Sequence, residues 1–273
     1  MFVNDAVGSV IHILPKGDYI VGVTSLDNLL YVLRNKSAEQ IDVYDTQSYR
    51  LQNRFTVPGL VHMSGMTACA YNVCIYISGG FDECVHRVAM PGVVVKKWPV
   101  NEICNCLSVT DAHSLLVACA KAMIKEFSTY GKLLRQIELP QNVESPWHSI
   151  LLSSGEFLVC HGRTHDDDPV RLHRVCIRDS NGHVVKSYGG PRDVPIHLAV
   201  DRNGFVFVAD MVNRRVLLLS PSLDYVSEVA LRQQHKWDPL ILFLDVDRRR
   251  LYVAVNKRKD GRYTAGRVVV FSV

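Results

Sequence analysis

Leu30-Tyr31-Val32 is the first of six short apolar triplets, followed by Ile75-Tyr76-Ile77, Leu115-Leu116-Val117, Phe157-Leu158-Val159, Val206-Phe207-Val208 and Leu251-Tyr252-Val253. Their closing residues stand 45, 40, 42, 49 and 45 positions apart. Between them lie further apolar runs, broken by turn formers such as Asp45-Thr46-Gln47-Ser48, Ser153-Ser154-Gly155 and Asn181-Gly182. A period of roughly 40–50 residues holding several strands marks a β-propeller blade. The chain therefore reads as all-β: a six-bladed β-propeller of four-stranded antiparallel blades. The approximate blades are 15–58, 59–99, 100–140, 141–189, 190–235 and 236–273 plus 9–14, forming one domain over residues 1–273.

The last blade is one strand short, because the chain ends at Val273 just after Val268-Val269-Val270-Phe271. A spare apolar run, Val10-Ile11-His12-Ile13-Leu14, precedes blade one. The economical expectation is that this N-terminal strand pairs beside Val268–Phe271 and closes the ring. Closure would remove the open strand edges that invite aggregation.

Composition fits a sizeable core, with 48% of the 273 residues apolar. No apolar run approaches the roughly 18 residues of a membrane helix. Met1-Phe2-Val3-Asn4-Asp5 carries no basic flank before an apolar run, so a secretory signal is not expected. Eight cysteines occur without a Cys-x-x-Cys pair, and several sit inside strand phrases, such as Cys119 and Cys160. They read as reduced core thiols of a cytoplasmic protein.

Blade five carries Pro195-Ile196-His197-Leu198, then Asp201-Arg202-Asn203-Gly204, then Val208-Ala209-Asp210, then Asn213-Arg214-Arg215-Val216. This phrase resembles the NHL repeat, with Ile where the family has Asn before the His. The likeness covers about 25 residues and fades in the other blades. It implies a propeller similar to the C-terminal one of tripartite-motif NHL proteins, which bind proteins or RNA. A minority of related propellers are lyases or lactonases, so the fold leaves activity open. Read physically, Asp201–Gly204 is a tight turn, while Asp210, Asn213 and Arg215 can hold the blade together by hydrogen bonds.

The residue eleven before each anchor is expected on the channel wall: Val21, Met66, Cys106, His148, His197 and Leu242. Of these, His148 and His197, with Trp147 beside the first, are the channel candidates. A catalytic zinc wants three protein ligands and an open position. Two aliphatics, a Met and a Cys complete that poorly, so no metal or other cofactor is assigned and the histidines read as bonding backbone. The run His161-Gly162-Arg163-Thr164-His165-Asp166-Asp167-Asp168-Pro169 lacks the spacing of a calcium loop and reads as a solvated hairpin tip.

Charge is uneven. Residues 201–273 hold 13 Lys/Arg against 8 Asp/Glu, whereas residues 1–200 hold 18 against 19, so the excess of +4 lies in blades five and six. Arg214, Lys257, Arg258, Lys259 and Arg262, with Tyr263, fall on b–c loops that share one face. The expectation is a monomeric, non-catalytic protein-interaction module. The alternatives are single-stranded RNA binding on this basic face and a metal-dependent lyase or hydrolase at His148 and His197.

Overall fold

The computed structural model describes residues 8–35, 40–57, 59–60, 62–89, 94–140, 145–162, 173–190, 192–229, 231 and 236–273. Of the run His161–Pro169, residues 163–169 lie outside them. Twenty-four strands, and no helix among the described residues, build six four-stranded antiparallel sheets around a common axis. The first strand, β1 (Ser9–Ile13), belongs to the last blade. Blade one holds β2 (Ile20–Leu26), β3 (Leu29–Arg34), β4 (Gln40–Asp45) and β5 (Leu51–Thr56). Blade two holds β6 (Met63–Cys69), β7 (Cys74–Gly79), β8 (Cys84–Ala89) and β9 (Val94–Pro99). Blade three holds β10 (Cys104–Val109), β11 (Leu115–Cys119), β12 (Met123–Phe127) and β13 (Leu133–Glu138). Blade four holds β14 (Pro146–Leu151), β15 (Phe157–His161), β16 (Arg174–Arg178) and β17 (Val184–Tyr188). Blade five holds β18 (Pro195–Val200), β19 (Val206–Asp210), β20 (Arg215–Leu219) and β21 (Tyr225–Val229). Blade six holds β22 (Asp238–Asp245), β23 (Arg250–Lys259) and β24 (Arg262–Ser272), completed by β1.

The anchor triplets show why they recur. Each second strand is buried on both faces, because one face meets the preceding blade and the other the following one. Val32 packs in the seam between blades six and one, while Tyr31 packs in the seam between blades one and two. The core is accordingly six inter-blade seams rather than one centre. The outermost strands face solvent and read as polar, as in β5 and β13.

Ring closure follows the expected route. Val10 pairs with Phe271 and Ile13 with Val269, with a bulge between. Leu14 donates its N–H to Val268 O at 2.9 Å and is buried in the seam. Three further contacts lock the join. The Asn256 side chain bonds both the N–H and the C=O of Ile20, at 2.9 and 2.8 Å. Arg34, paired with Asp42 at 2.7 Å, reaches Asp18 O and Gly266 O. His12 of the closing strand stacks on Tyr49 of blade one at 4.4 Å.

Two sequence expectations need correction. Every inner strand carries a bulge near its start, and the residue after each bulge is Gly22, Gly65, Cys106, His148, His197 or Ile241. A fixed offset of eleven fails because the a–b hairpins differ in length. Met66 and Leu242 are instead the residues paired with their anchors, and Val21 is the bulged residue itself. The second correction concerns Lys257–Arg262. It is no loop: β23 and β24 run on past the blade as a two-stranded ribbon, with Arg258 opposite Tyr263 and Lys259 opposite Arg262. Asp260 and Gly261 turn it at φ 50° and 77°, the Asp-Gly signature of a two-residue hairpin.

Candidate functional site

Three side chains of different blades meet at the channel wall. The ligand atoms of Cys106, His148 and His197 all lie within 4.8 Å of one another, all buried. The imidazoles stack at 4.0 Å with 23° between planes. The strand a of each blade is its inner edge, so its outward N–H and C=O groups need partners that the sheet does not supply. His148 supplies them on both sides. Its Nδ1 accepts the N–H of Leu198 in blade five at 3.2 Å, and its Nε2 lies 3.3 Å from Leu107 O of blade three. This fixes the tautomer with the proton on Nε2.

His197 repeats the device one blade further on. The Leu242 N–H faces its Nδ1 at 3.4 Å, and its Nε2 faces Cys106 Sγ at 3.4 Å. With the proton on Nε2, both contacts are hydrogen bonds. With the proton on Nδ1, the imidazole donates to Leu198 O at 3.2 Å and its Nε2 accepts from the Cys106 thiol, so His197 finds hydrogen-bond partners in either tautomer. Desolvation pushes His148 down to about 4. His197 is held well below its usual value by burial first and by His148 second. Burial also pushes the Cys106 thiol up to about 12. Neutral imidazoles are competent metal ligands, but His148 has neither nitrogen to give without orphaning a backbone group. Trp147, the bulged neighbour, donates its indole N–H to Gly162 O at 2.8 Å and caps the blade.

The blade-five phrase builds a clasp, with Asp210 wholly buried at its centre. The Asp210 carboxylate accepts from Val194 N (3.0 Å), Asn213 Nδ2 (2.7 Å) and Arg215 Nε (2.8 Å). Arg215 also reaches Asp193 at 2.8 Å. Asp210, Asn213 and Arg215 belong to the NHL-like phrase, and each is used inside the blade.

The basic face divides. Arg214 is spent on Asp238 of blade six at 3.0 Å. Tyr263 is turned inward, its hydroxyl 3.3 Å from Met211 Sδ, with the Arg258 guanidinium 5.3 Å over its ring. Alternation along the ribbon puts Lys257 and Lys259 on the other face, with Arg262 across from Lys259. These three exposed cations have no carboxylate partner among the described residues. The sequence placed the charges but not the ribbon that sorts them, because a loop and a hairpin extension share the same composition.

No protein-family model matches the chain, and no curated protein matches it. Solved structures of similar fold exist. A streptogramin B lyase aligns with TM-score 0.64 at 11% identity, covering 93% of this chain and 87% of that one. A catalytically inactive virginiamycin B lyase from Staphylococcus aureus, with quinupristin, aligns with TM-score 0.65 at 8% identity over 97% and 98%. A β-propeller domain from Myceliophteria thermophila aligns with TM-score 0.59 at 13% identity over 93% and 82%. At such identities the likeness establishes the six-bladed propeller fold, and it extends neither to activity nor to membership of the NHL family.

Proposed function

We propose that this propeller is a non-catalytic protein-interaction module that docks an acidic segment of a partner on the ribbon of blade six. The observation that carries this reading is the ribbon face bearing Lys257, Lys259 and Arg262 without carboxylate partners among the described residues. Four arginines of blades five and six, by contrast, are paired with carboxylates: Arg202 with Asp247, Arg214 with Asp238, Arg215 with Asp210 and Arg248 with Asp245. A rigid strand pair holding cations at fixed spacing suits Asp and Glu side chains of an extended segment.

Single-stranded RNA is the weaker reading. Such binders stack bases on exposed aromatic faces, and the ribbon's aromatic, Tyr263, is packed against Met211 and covered by Arg258. A metal-dependent lyase or hydrolase is weaker still, given that His148 is committed to Leu198 and Leu107.

The test is fluorescence anisotropy with a labelled peptide rich in Asp and Glu, and in parallel a labelled single-stranded RNA. The triple variant Lys257→Glu, Lys259→Glu, Arg262→Glu should weaken the peptide by about tenfold or more while leaving the melting temperature in place. Equal peptide binding by wild type and variant would reject the reading. RNA binding that is lost in the variant and falls steeply with salt would replace it with the nucleic-acid alternative.

A further inference from the structure

The first hairpin of blade two sets Cys69 directly opposite Cys74 in the β6–β7 ladder. Directly opposed antiparallel residues have Cα atoms about 4.5 or about 5.5 Å apart, and both spacings lie inside the range of about 4.4–6.8 Å that a disulfide spans. Both thiols are free and buried. The turn between them is closed by Val73 N–H to Ala70 O at 3.2 Å. At its end, Val73 holds φ 44°, a left-handed conformation that β-branched residues avoid. The tip beyond is open to solvent: Tyr71 is 74% exposed and lies stacked on His113 of blade three at 4.2 Å. A strained, exposed turn next to the pair makes one-turn fraying the natural route of access.

The surroundings of the two sulfurs are unusual for core cysteines. Asn72 Nδ2 donates to Cys69 Sγ at 3.1 Å. Cys74 and Tyr76 share a face of β7, and Arg87 of β8 is paired across from Tyr76, which puts the guanidinium diagonal to Cys74. Arg87 has a buried Nε with no hydrogen-bond partner, and no carboxylate pairs with it among the described residues. Its pKa is raised, first by its interaction with the Cys74 thiol. A cation without an acid, set beside a thiol, is poised to stabilise sulfur anion.

We propose that Cys69 and Cys74 form a dithiol modification site, which a hydroperoxide oxidises to a reversible disulfide across the blade-two hairpin. In the first step the Cys74 sulfur, as thiolate beside Arg87, attacks one peroxide oxygen. The S–O bond forms, the O–O bond breaks, and hydroxide leaves with a proton as water. In the second step Cys69 Sγ attacks the sulfenic sulfur. The S–S bond forms, the S–O bond breaks, and the second water leaves with the Cys69 proton. Two thiols and one hydrogen peroxide thus give one disulfide and two waters, sulfur being oxidised and peroxide oxygen reduced. The product staples the turn that presents Tyr71, and an external dithiol reverses it.

Blade three supplies an internal control. Cys104 stands opposite Cys119 in the same kind of ladder, and both pairs are buried alike: Cys74, Cys104 and Cys119 at 0% exposure and Cys69 at 2%. Burial pushes the Cys119 thiol up to about 12 and raises the Cys104 thiol as well. Neither register nor burial therefore distinguishes the two pairs; the Asn72 donor, the Arg87 guanidinium and the strained exposed turn at Val73 belong to Cys69–Cys74.

The experiment treats the folded protein with hydrogen peroxide, then alkylates with iodoacetamide in denaturant and maps the peptides by mass. The expected product is a Cys69–Cys74 peptide two hydrogens lighter than the dithiol and unalkylated, restored by dithiothreitol, with Cys104 and Cys119 alkylated. In Cys69→Ser the expected product is a Cys74 sulfenic acid trapped by dimedone. In Arg87→Met the rate of disulfide formation should fall by about tenfold. Full alkylation of Cys69 and Cys74 after peroxide, or a disulfide forming first at Cys104–Cys119, overturns the proposal. An unchanged rate in Arg87→Met overturns the role given to Arg87.

Discussion

The backbone N–H of Leu198 in blade five donates to His148 Nδ1 in blade four at 3.2 Å, a bond made across a seam between sheets. Leu242 and His197 repeat the relationship one blade on, at 3.4 Å. Replacing His148 by Ala should orphan the Leu198 N–H and the Leu107 carbonyl and leave a cavity at the channel. The expected loss is about 2–4 kcal/mol, read from the urea midpoint. A loss well under 1 kcal/mol would mean that the imidazole is not the stitch described.

These histidines also set a pH dependence. His148 and His161 are both pushed down to about 4, burial being the leading cause in each, and His197 is lowered as well. In the unfolded chain such groups titrate near 6.5. Between those values the unfolded state binds protons that the folded state refuses, so stability is full above pH 6.5 and falls as pH drops toward 4. His148 alone should cost on the order of 3 kcal/mol over that window. Chemical denaturation at stepped pH checks it, and a flat midpoint from pH 7 to 5 would contradict the buried neutral state.

Removal of residues 1–14 should weaken the whole ring rather than its start. The deletion takes away the partner of β24 and the buried Leu14, and leaves Val268–Phe271 as an open edge. We expect the single thermal transition to move down as one unit, by the equivalent of about 3–5 kcal/mol. An unshifted transition would show that β1 only decorates blade six.

The ribbon has a local test of its own. Gly261 sits at φ 77° with nothing within 4 Å of the point where a Cβ would stand, so Gly261→Ala would meet backbone strain without a clash. The expected cost is about 1 kcal/mol, with fraying of Lys257–Tyr263 visible as faster amide exchange. Unchanged protection there would indicate that the turn does not hold the ribbon.

The architecture was legible in the sequence because its cause is local and repeated. A second strand pressed between two neighbouring sheets must be apolar on both faces, and Leu30-Tyr31-Val32 and its five counterparts say so directly. The closing strand was legible for a related reason, since a blade lacking its fourth strand and a spare apolar run at the other terminus leave one economical pairing. The channel ring was read only in part. Cys106, His148 and His197 were placed, while Gly22, Gly65 and Ile241 were missed, because hairpins such as Leu26–Leu29 and Cys69–Cys74 differ in length and shift the count.

What the chain determined alone, then, is the number of sectors, their strand content and the uneven charge, all properties that survive small errors of register. What only the folded ring decided is which groups are free to act. His148 turned out to be committed to Leu198 and Leu107, Arg214 to Asp238, and Tyr263 to Met211, whereas Lys257, Lys259 and Arg262 were left facing outward. The physical reason is range: a strand is specified by its own side chains, but a hydrogen bond or ion pair between blades joins residues dozens of positions apart, and no local pattern records it.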